Sequence, residues 1–316
     1  MKTIQVSRFG GPEVLVLLDG PAIAPEAGQI SIAVEAVGVG FVDVMARQGT
    51  YPLFPEPGFV PGVEVAGTVD EVGPDVDANW RGRRVFAVCG VGGYAERVVI
   101  DLVKVVPLPD KLSAGQAVGT GVNALVASFA LERTGADAGE HVLVRGASGG
   151  IGVMATQLAA RKGCVVMAVT SSASRADRLR ALGATRTILR GTGEDTVAGA
   201  YDVVVDTVGG SDMGRFLTML KPNGRYVLCG GAGGPPPADL LARLFAEFHK
   251  SPSLMCFSLN SIDDDHRRPV ADELFRLTAE GSIEAVIDEG LRLDQAAEAH
   301  RRMAAGDLFG KIVLRP

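Results

Sequence analysis

The stretch VLVRGASGGIG, Val142 to Gly152, joins an apolar run to a segment of helical character. At such a junction the unpaired N–H groups and the dipole of the helix start attract a pyrophosphate, and glycines let the backbone approach it with no Cβ in the way. Gly149 and Gly150, flanked by Ser148 and Ile151, are the residues expected at the phosphates, and Gly152 is expected to permit close packing of helix on strand. The context predicts a dinucleotide site, with a plain tight strand–helix turn as the alternative.

The next apolar run, Val165–Val169, ends in Thr170, Ser171 and Ser172, where an NAD binder would carry an acid for the ribose 2′-OH. Arg175 follows shortly, and Arg190 closes the strand-like stretch Thr187–Arg190. Guanidinium groups bind phosphate oxygens through charge-assisted, often bidentate hydrogen bonds, whereas a carboxylate would repel a 2′-phosphate. The expected cofactor is therefore NADPH, with solvated surface charges as the plainer reading of each arginine. In DVVVDTVGG, Thr207, Val208 and Gly209 fall at the end of a further run, and Cys229 and Gly230 end another. Small strand-end residues suit a nicotinamide, or serve only as turns; Asp206 is expected to cap one.

The elements behind these residues change character near Ala117. Before it, short β-like stretches (Ile30–Ala36, Val63–Val72, Arg84–Val88) are separated by Gly and Pro, with a rigid loop at Pro52, Pro55, Pro57 and Pro61. After it, Val-rich runs at Val142–Val144, Val165–Val169, Val203–Val205 and Tyr226–Leu228 alternate with helical stretches at Ile151–Lys162, Arg175–Leu182 and Met213–Leu220. Such runs suit strands buried on both faces, so the alternation predicts an α/β fold with a doubly wound parallel sheet. A helix carrying Leu240, Leu241, Leu244, Phe245 and Phe248, a further run at Leu254–Leu259, two amphipathic helices and a short strand at Ile312–Leu314 complete the chain. The domains are expected at 1–117, 118–262 and 263–316, the last completing the first.

Composition agrees with a globule. The chain has 316 residues, 47% hydrophobic and 22% charged, and 41 glycines, a glycine share well above the usual ~7%. A net charge of −6 opposes nucleic-acid binding. No run of some 18 apolar residues is evident, so no membrane span is expected. The four cysteines show no CxxC and read as reduced thiols of a cytoplasmic protein, and no signal peptide is apparent at Met1–Gly20.

Six blocks in order, RFGGPEVL (Arg8–Leu15), EAVGVGFVDVMARQGTYP (Glu35–Pro52), PGVEVAGTVDEVG (Pro61–Gly73), GGYAERVVI (Gly92–Ile100), VLVRGASGGIG and GKIVL (Gly310–Leu314), make nearly the whole chain resemble the quinone oxidoreductases, the zeta-crystallin-like, zinc-free branch of the medium-chain dehydrogenase/reductases. The resemblance implies a GroES-like β-rich catalytic domain and an inserted Rossmann sheet of strand order 3-2-1-4-5-6, with the cofactor in the cleft between domains and a homodimer formed through the Rossmann sheet. It also implies that Ser171, Arg175 and Arg190 surround the 2′-phosphate. Zinc members of the wider superfamily carry a Cys and a His where this chain has Phe41 and Val63, so no metal is expected, and His141, His249, His266 and His300 read as surface or helix positions.

Departures from the branch pattern shape the expected substrate pocket. An Asn and a Tyr usual in the second block are Gly40 and Met45, and a usual Thr is Val126, with Asn123 one turn earlier. A pocket of Gly40, Phe41, Met45, Asn123 and Val126 would be roomy and apolar. Asp43 is either a general acid, if burial raises its pKa, or a carboxylate bracing a loop; Tyr51 is either a polar group of the site or packing in the proline loop. The sequence thus points to an NADPH-dependent reductase taking a small-molecule quinone or activated alkene (an α,β-unsaturated carbonyl). The alternatives are an NADPH-binding protein of low turnover acting as a sensor or partner-binding module, and a zinc alcohol dehydrogenase.

Overall fold

The computed structural model describes residues 1–53, 56–191 and 198–316; Pro55 of the proline loop lies outside them. The chain divides into two compact units, one of Met1–Val122 with Asp263–Pro316, the other of Asn123–Ile262.

The first unit begins with a hairpin of β1 (Lys2–Val6) and β2 (Leu15–Asp19). Next come β3 (Gln29–Val39), helix α1 (Phe41–Gln48), β4 (Glu64–Val72), β5 (Arg84–Val88), β6 (Arg97–Asp101) and β7 (Val105–Pro107). Eleven-residue β3 is central and pairs with β4, β6 and the last strand of the chain. Its alternating Ile30, Ile32 and Val34 enter a core shared with Val65, Val69, Val85 and Val98, the burial that period-two patterning requires.

Helix α2 (Ala114–Arg133) leads out of this unit and is interrupted at Gly121, whose φ of 1° and ψ of −118° are not helical. A Cβ there would lie 2.3 Å from Glu64 Oε2 and 2.6 Å from the Phe86 ring, so only glycine fits. Just past the break, the Val122 N–H donates to Glu64 Oε2 at 2.8 Å, satisfying a donor that the interruption frees. By length and composition alone this helix is long and apolar enough to cross a membrane, a description that a buried core helix meets equally. Most of it is buried within the fold.

The second unit holds β8 (His141–Arg145), α3 (Gly150–Arg161), β9 (Val165–Thr170), α4 (Ala176–Ala181), β10 (Arg186–Leu189), β11 (Tyr201–Asp206), α5 (Met213–Thr218), β12 (Leu220–Leu228), α6 (Leu240–Ala246) and β13 (Ser253–Cys256). Its six strands are parallel in the order β10-β9-β8-β11-β12-β13, which is 3-2-1-4-5-6 by their sequence within the unit. The Val-rich runs are its centre: Val142, Val144, Val166, Val203 and Val205 are fully buried. The expected apolar face is divided: Leu240 and Leu244 of α6 pack partly buried against the core, whereas Leu241 and Phe245 on α6 and Phe248 in the 3-10 turn after it are solvent-exposed in the single chain.

The chain then returns to the first unit through α7 (Asp264–Ala279), β14 (Ile287–Arg292), α8 (Ala296–Ala305) and β15 (Lys311–Arg315). β15 lies between β14 and β3, pairing antiparallel with β3 at Ile312↔Val39 and Leu314↔Val37. Lys311 forms a buried ion pair with Glu64.

Candidate cofactor-binding site

In an open parallel sheet the ligand crevice lies beyond the carboxyl ends of the strands where the strand order reverses. Here that point falls between β8 and β11, and the glycine-rich loop leaves β8 at that place. Gly146 has φ +75°, and a Cβ on it would lie 2.3 Å from Thr207 Oγ1, so the two strand ends meet at a distance only glycine allows. Gly152 has its Cα against the Gly146 carbonyl, 2.2 Å from where a Cβ would stand, and packs the helix on the loop.

Helix α3 starts at Gly149 with no side-chain cap and no acidic residue in its first turn. The first-turn N–H groups of Gly150 and Ile151 therefore face outward as a positive helix end. A Cβ on Gly149 would make only an ordinary contact, 3.5 Å from the Gly146 carbonyl oxygen. One on Gly150 would lie 2.3 Å from Asn123 Nδ2. The Asn123 amide thus lies over the start of α3, and its buried Nδ2 has no hydrogen-bond partner. Val126, one turn on, is buried in the unit. Ser148 ties the loop to the neighbouring strand, its Oγ lying 2.9 Å from Thr170 Oγ1.

Ser171 follows Thr170 directly and is exposed. Arg190 is held beside it by its backbone, the N–H donating to Thr170 O at 2.9 Å. Arg175 ends a 3-10 turn (Ala173–Arg175) and serves as the N-cap residue of α4, so that helix begins one residue later than its periodicity indicates. The three residues expected around a 2′-phosphate thus belong to two adjacent strand ends.

On the other side of the reversal point, Asp206 does more than cap a turn. It is fully buried, and its Oδ1 accepts the N–H groups of Val208 and Gly209 at 2.7 and 3.1 Å. Its Oδ2 accepts from Arg145 Nη1 at 2.9 Å and from the Tyr226 hydroxyl. Gly230 passes so near Thr207 that a Cβ would stand 2.2 Å from the Thr207 carbonyl oxygen. The Cys229 thiol is held against Asp206 O, and burial, followed by the Asp206 charge, raises its pKa far above the usual thiol range. It is an inert wall group, not a nucleophile.

The remaining candidates lie in the first unit. Gly40 precedes α1, Phe41 opens it, and Met45 follows one turn later; all three are half-buried. Asp43 lies on the same helix but is buried, with Oδ2 accepting from Gly40 N at 2.8 Å and Oδ1 from Gly62 N at 3.0 Å. Burial outweighs these bonds and pushes its carboxyl up to about 6. Both conditions named for Asp43 thus hold at once, a raised pKa and a loop-bracing geometry, and the engaged oxygens favour the brace. Tyr94, absent from the sequence-level candidates, donates toward Asp43 Oδ2 at 3.4 Å and lies 2.9 Å from His300 Nε2. His300, expected at a surface or helix position, is on α8 but wholly buried; desolvation and then the nearby Arg47 charge push it down to about 3. Tyr51 follows α1 and is half-buried. Among the described residues no group of three or more His, Cys, Asp or Glu side chains could hold a metal ion.

Residues 26–110 match the alcohol dehydrogenase GroES-like domain, and residues 182–314 match the zinc-binding dehydrogenase model. The rat (Rattus norvegicus) quinone oxidoreductase is 32% identical over 99% of this chain and 97% of its own. This chain belongs to the quinone oxidoreductase family. Among solved structures, a mycobacterial protein complexed with NADPH superposes with TM-score 0.91 at 31% identity, covering 100% of both chains. The Escherichia coli quinone oxidoreductase complexed with NADPH gives TM-score 0.91 at 27% identity, again over 100% of both. In family terms the first unit is the GroES-like domain and the second the Rossmann-type sheet.

Proposed function

We propose that this family member is an NADPH-dependent, zinc-independent reductase that delivers hydride to a quinone or to the β-carbon of an α,β-unsaturated carbonyl. The observation that carries this reading is the uncapped, acid-free first turn of α3 at the reversal point, with the orphaned Asn123 amide directed onto it. A buried donor without an acceptor costs stability unless a ligand supplies one, and a dinucleotide does so here. The two relatives solved with NADPH support the choice of cofactor.

In this reading the helix N–H groups of Gly150 and Ile151 hold the pyrophosphate, with Ser148 and Gly149 forming the loop against it. Ser171, Arg175 and Arg190 take the 2′-phosphate. Thr207, Val208, Gly209, Cys229 and Gly230 offer a wall of small residues to the nicotinamide, and Asn123 contributes one hydrogen-bond donor to the cofactor. Bound NADPH supplies the hydride. The chain's own residues supply position, dryness and orientation. Gly40, Phe41 and Met45 are assigned to the acceptor, where apolar, half-buried side chains suit a flat conjugated molecule. A quinone or enone needs little electrophilic help, because the charge left by hydride addition is delocalised. That fits Phe41 and Val63, which carry no lone pair for zinc. Proton delivery is assigned to solvent, since the oxygens of Asp43 are taken by backbone amides.

The same reading includes a homodimer in a reducing, cytoplasmic setting. β13 is an edge strand, and the exposed Leu241, Phe245 and Phe248 lie on the segment just before it, a combination that invites a second copy. All four cysteines are unpaired.

The test is steady-state oxidation of NADPH and NADH by the purified protein with a panel of quinones and enones, before and after chelator treatment. Turnover that prefers NADPH and survives chelation is expected. Tight NADPH binding without turnover on any acceptor would refute the reductase assignment in favour of a sensor or partner-binding role, and loss of activity on chelation would refute zinc independence.

A further inference from the structure

We propose that Arg145 is a positioning residue for the cofactor, its guanidinium acting as the spacer that sets the crevice between β8 and β11. Arg145 is the last residue of β8, immediately before the glycine-rich loop, and is buried. From there it reaches across the reversal point. Nη1 donates to Asp206 Oδ2 at 2.9 Å and Nη2 to Asp212 Oδ1, while the guanidinium carbon lies 4.4 Å from the centroid of the Phe216 ring.

Asp206 and Asp212 bracket the segment that carries Thr207, Val208 and Gly209. One planar cation therefore pins that segment at both ends, and its own carbonyl accepts the Thr207 Oγ1–H at 3.0 Å. Through Asp206 the same cation sets the Val208 and Gly209 amides. Val208 O in turn accepts the Gly233 N–H at 2.6 Å, which links the loop after β12. Three consecutive strand-end loops are thus referenced to a single side chain. Lysine could not replace it, because a point ammonium cannot span two carboxylates and stack on an aromatic face at once. None of these contacts involves Ser171, Arg175 or Arg190, which stand on the far side of β8. The spacer therefore acts on the nicotinamide half of the cofactor and leaves the adenosine half alone.

This inference rests on the NADPH reading, and the experiment separates the two. Binding of NADPH and of adenosine 2′,5′-bisphosphate, which carries the adenosine half only, is measured by calorimetry for the parent protein, Arg145→Met and Asp212→Ala. If the parent binds neither ligand, the NADPH reading itself fails. With Arg145→Met, NADPH is expected to weaken about tenfold or more, the size of one charge-assisted hydrogen bond, while the bisphosphate stays within about threefold. Asp212→Ala removes a half-exposed anchor from a surface loop and leaves the buried pair intact. If Arg145→Met does not fold, this variant decides, with NADPH weakened at least about threefold and the bisphosphate unchanged. Unchanged NADPH affinity, or an equal loss for both ligands in a folded variant, overturns the proposal.

Discussion

The most direct test of the site is the double substitution Arg175→Ala with Arg190→Ala. Arg190 directly follows edge strand β10 and is fixed by its backbone N–H to Thr170 O, and Arg175 is the N-cap residue of α4 beyond the end of β9, so alanine keeps the local fold. Each guanidinium is partly or fully open to water, so each bond to a 2′-phosphate is taken at the lower end of the charge-assisted range, about 1.5 kcal/mol. Removing both costs about 3 kcal/mol, or somewhat more than a hundredfold in NADPH affinity. NADH has a hydroxyl in place of the phosphate and should change by less than about threefold, a shift of some 0.6 kcal/mol. The assay is a nucleotide titration followed by protein or nicotinamide fluorescence, at low and at high salt. The parent's preference for NADPH should shrink as salt rises, because both cations are screened. Equal weakening of NADPH and NADH, or no weakening of either, would show that these arginines do not read the 2′-phosphate.

Three further outcomes follow from the same structure. Lys311→Met strands the buried Glu64 carboxylate and should cost about 3–5 kcal/mol in denaturant unfolding, whereas Lys311→Met combined with Glu64→Gln should recover most of that; a double variant as unstable as the single would show that the charge pairing is not what matters. Asp43 and His300 oppose each other in their effect of pH on stability. The raised carboxyl contributes stability below its unfolded value of 3.8 that is lost as pH rises to about 6, and the depressed imidazole contributes stability above 6.5 that is lost as pH falls toward about 3. Thermal midpoints of the parent should therefore vary little between about pH 4 and 6, and Asp43→Asn should make them fall on acidification, uncovering a His300 contribution of several kcal/mol; a variant as flat as the parent would contradict the opposing slopes. Phe245→Glu should yield monomers by light scattering where the parent is dimeric, and a variant that stays dimeric would remove the α6 face from the subunit contact.

What the sequence disclosed, it disclosed through short-range signals. The Val-rich runs of β8, β9 and β11 could be read because strands buried on both faces have no alternation to hide, and the glycine-rich loop because strand, turn and helix are contiguous. Arg84–Val88 was legible to the residue. The rest depends on contacts that only folding creates. Arg145 looks like an ordinary strand-end charge until Asp206 and Asp212, some sixty positions away, close on it. Tyr94 and His300 are 206 positions apart, and nothing local marks that histidine as buried. That the Asn123 amide lies over Gly150 is likewise invisible in the sequence. The one available signal was composition: an arginine ending a strand whose central residues are Val142, Leu143 and Val144 must find a partner or distort the sheet.

The position of β15 has a consequence for how this chain comes into being. The final strand is inserted between β14 and β3, and its Lys311 neutralises the carboxylate of Glu64. During translation the parallel sheet has all its parts once residue 262 has left the ribosome, whereas the β-rich unit, begun first, must wait for residues 311–315. Until then the Val37–Val39 stretch of β3 and the Glu64 charge lack their β15 partners, which makes nascent chains, or chains clipped before β15, clients for chaperones and proteases.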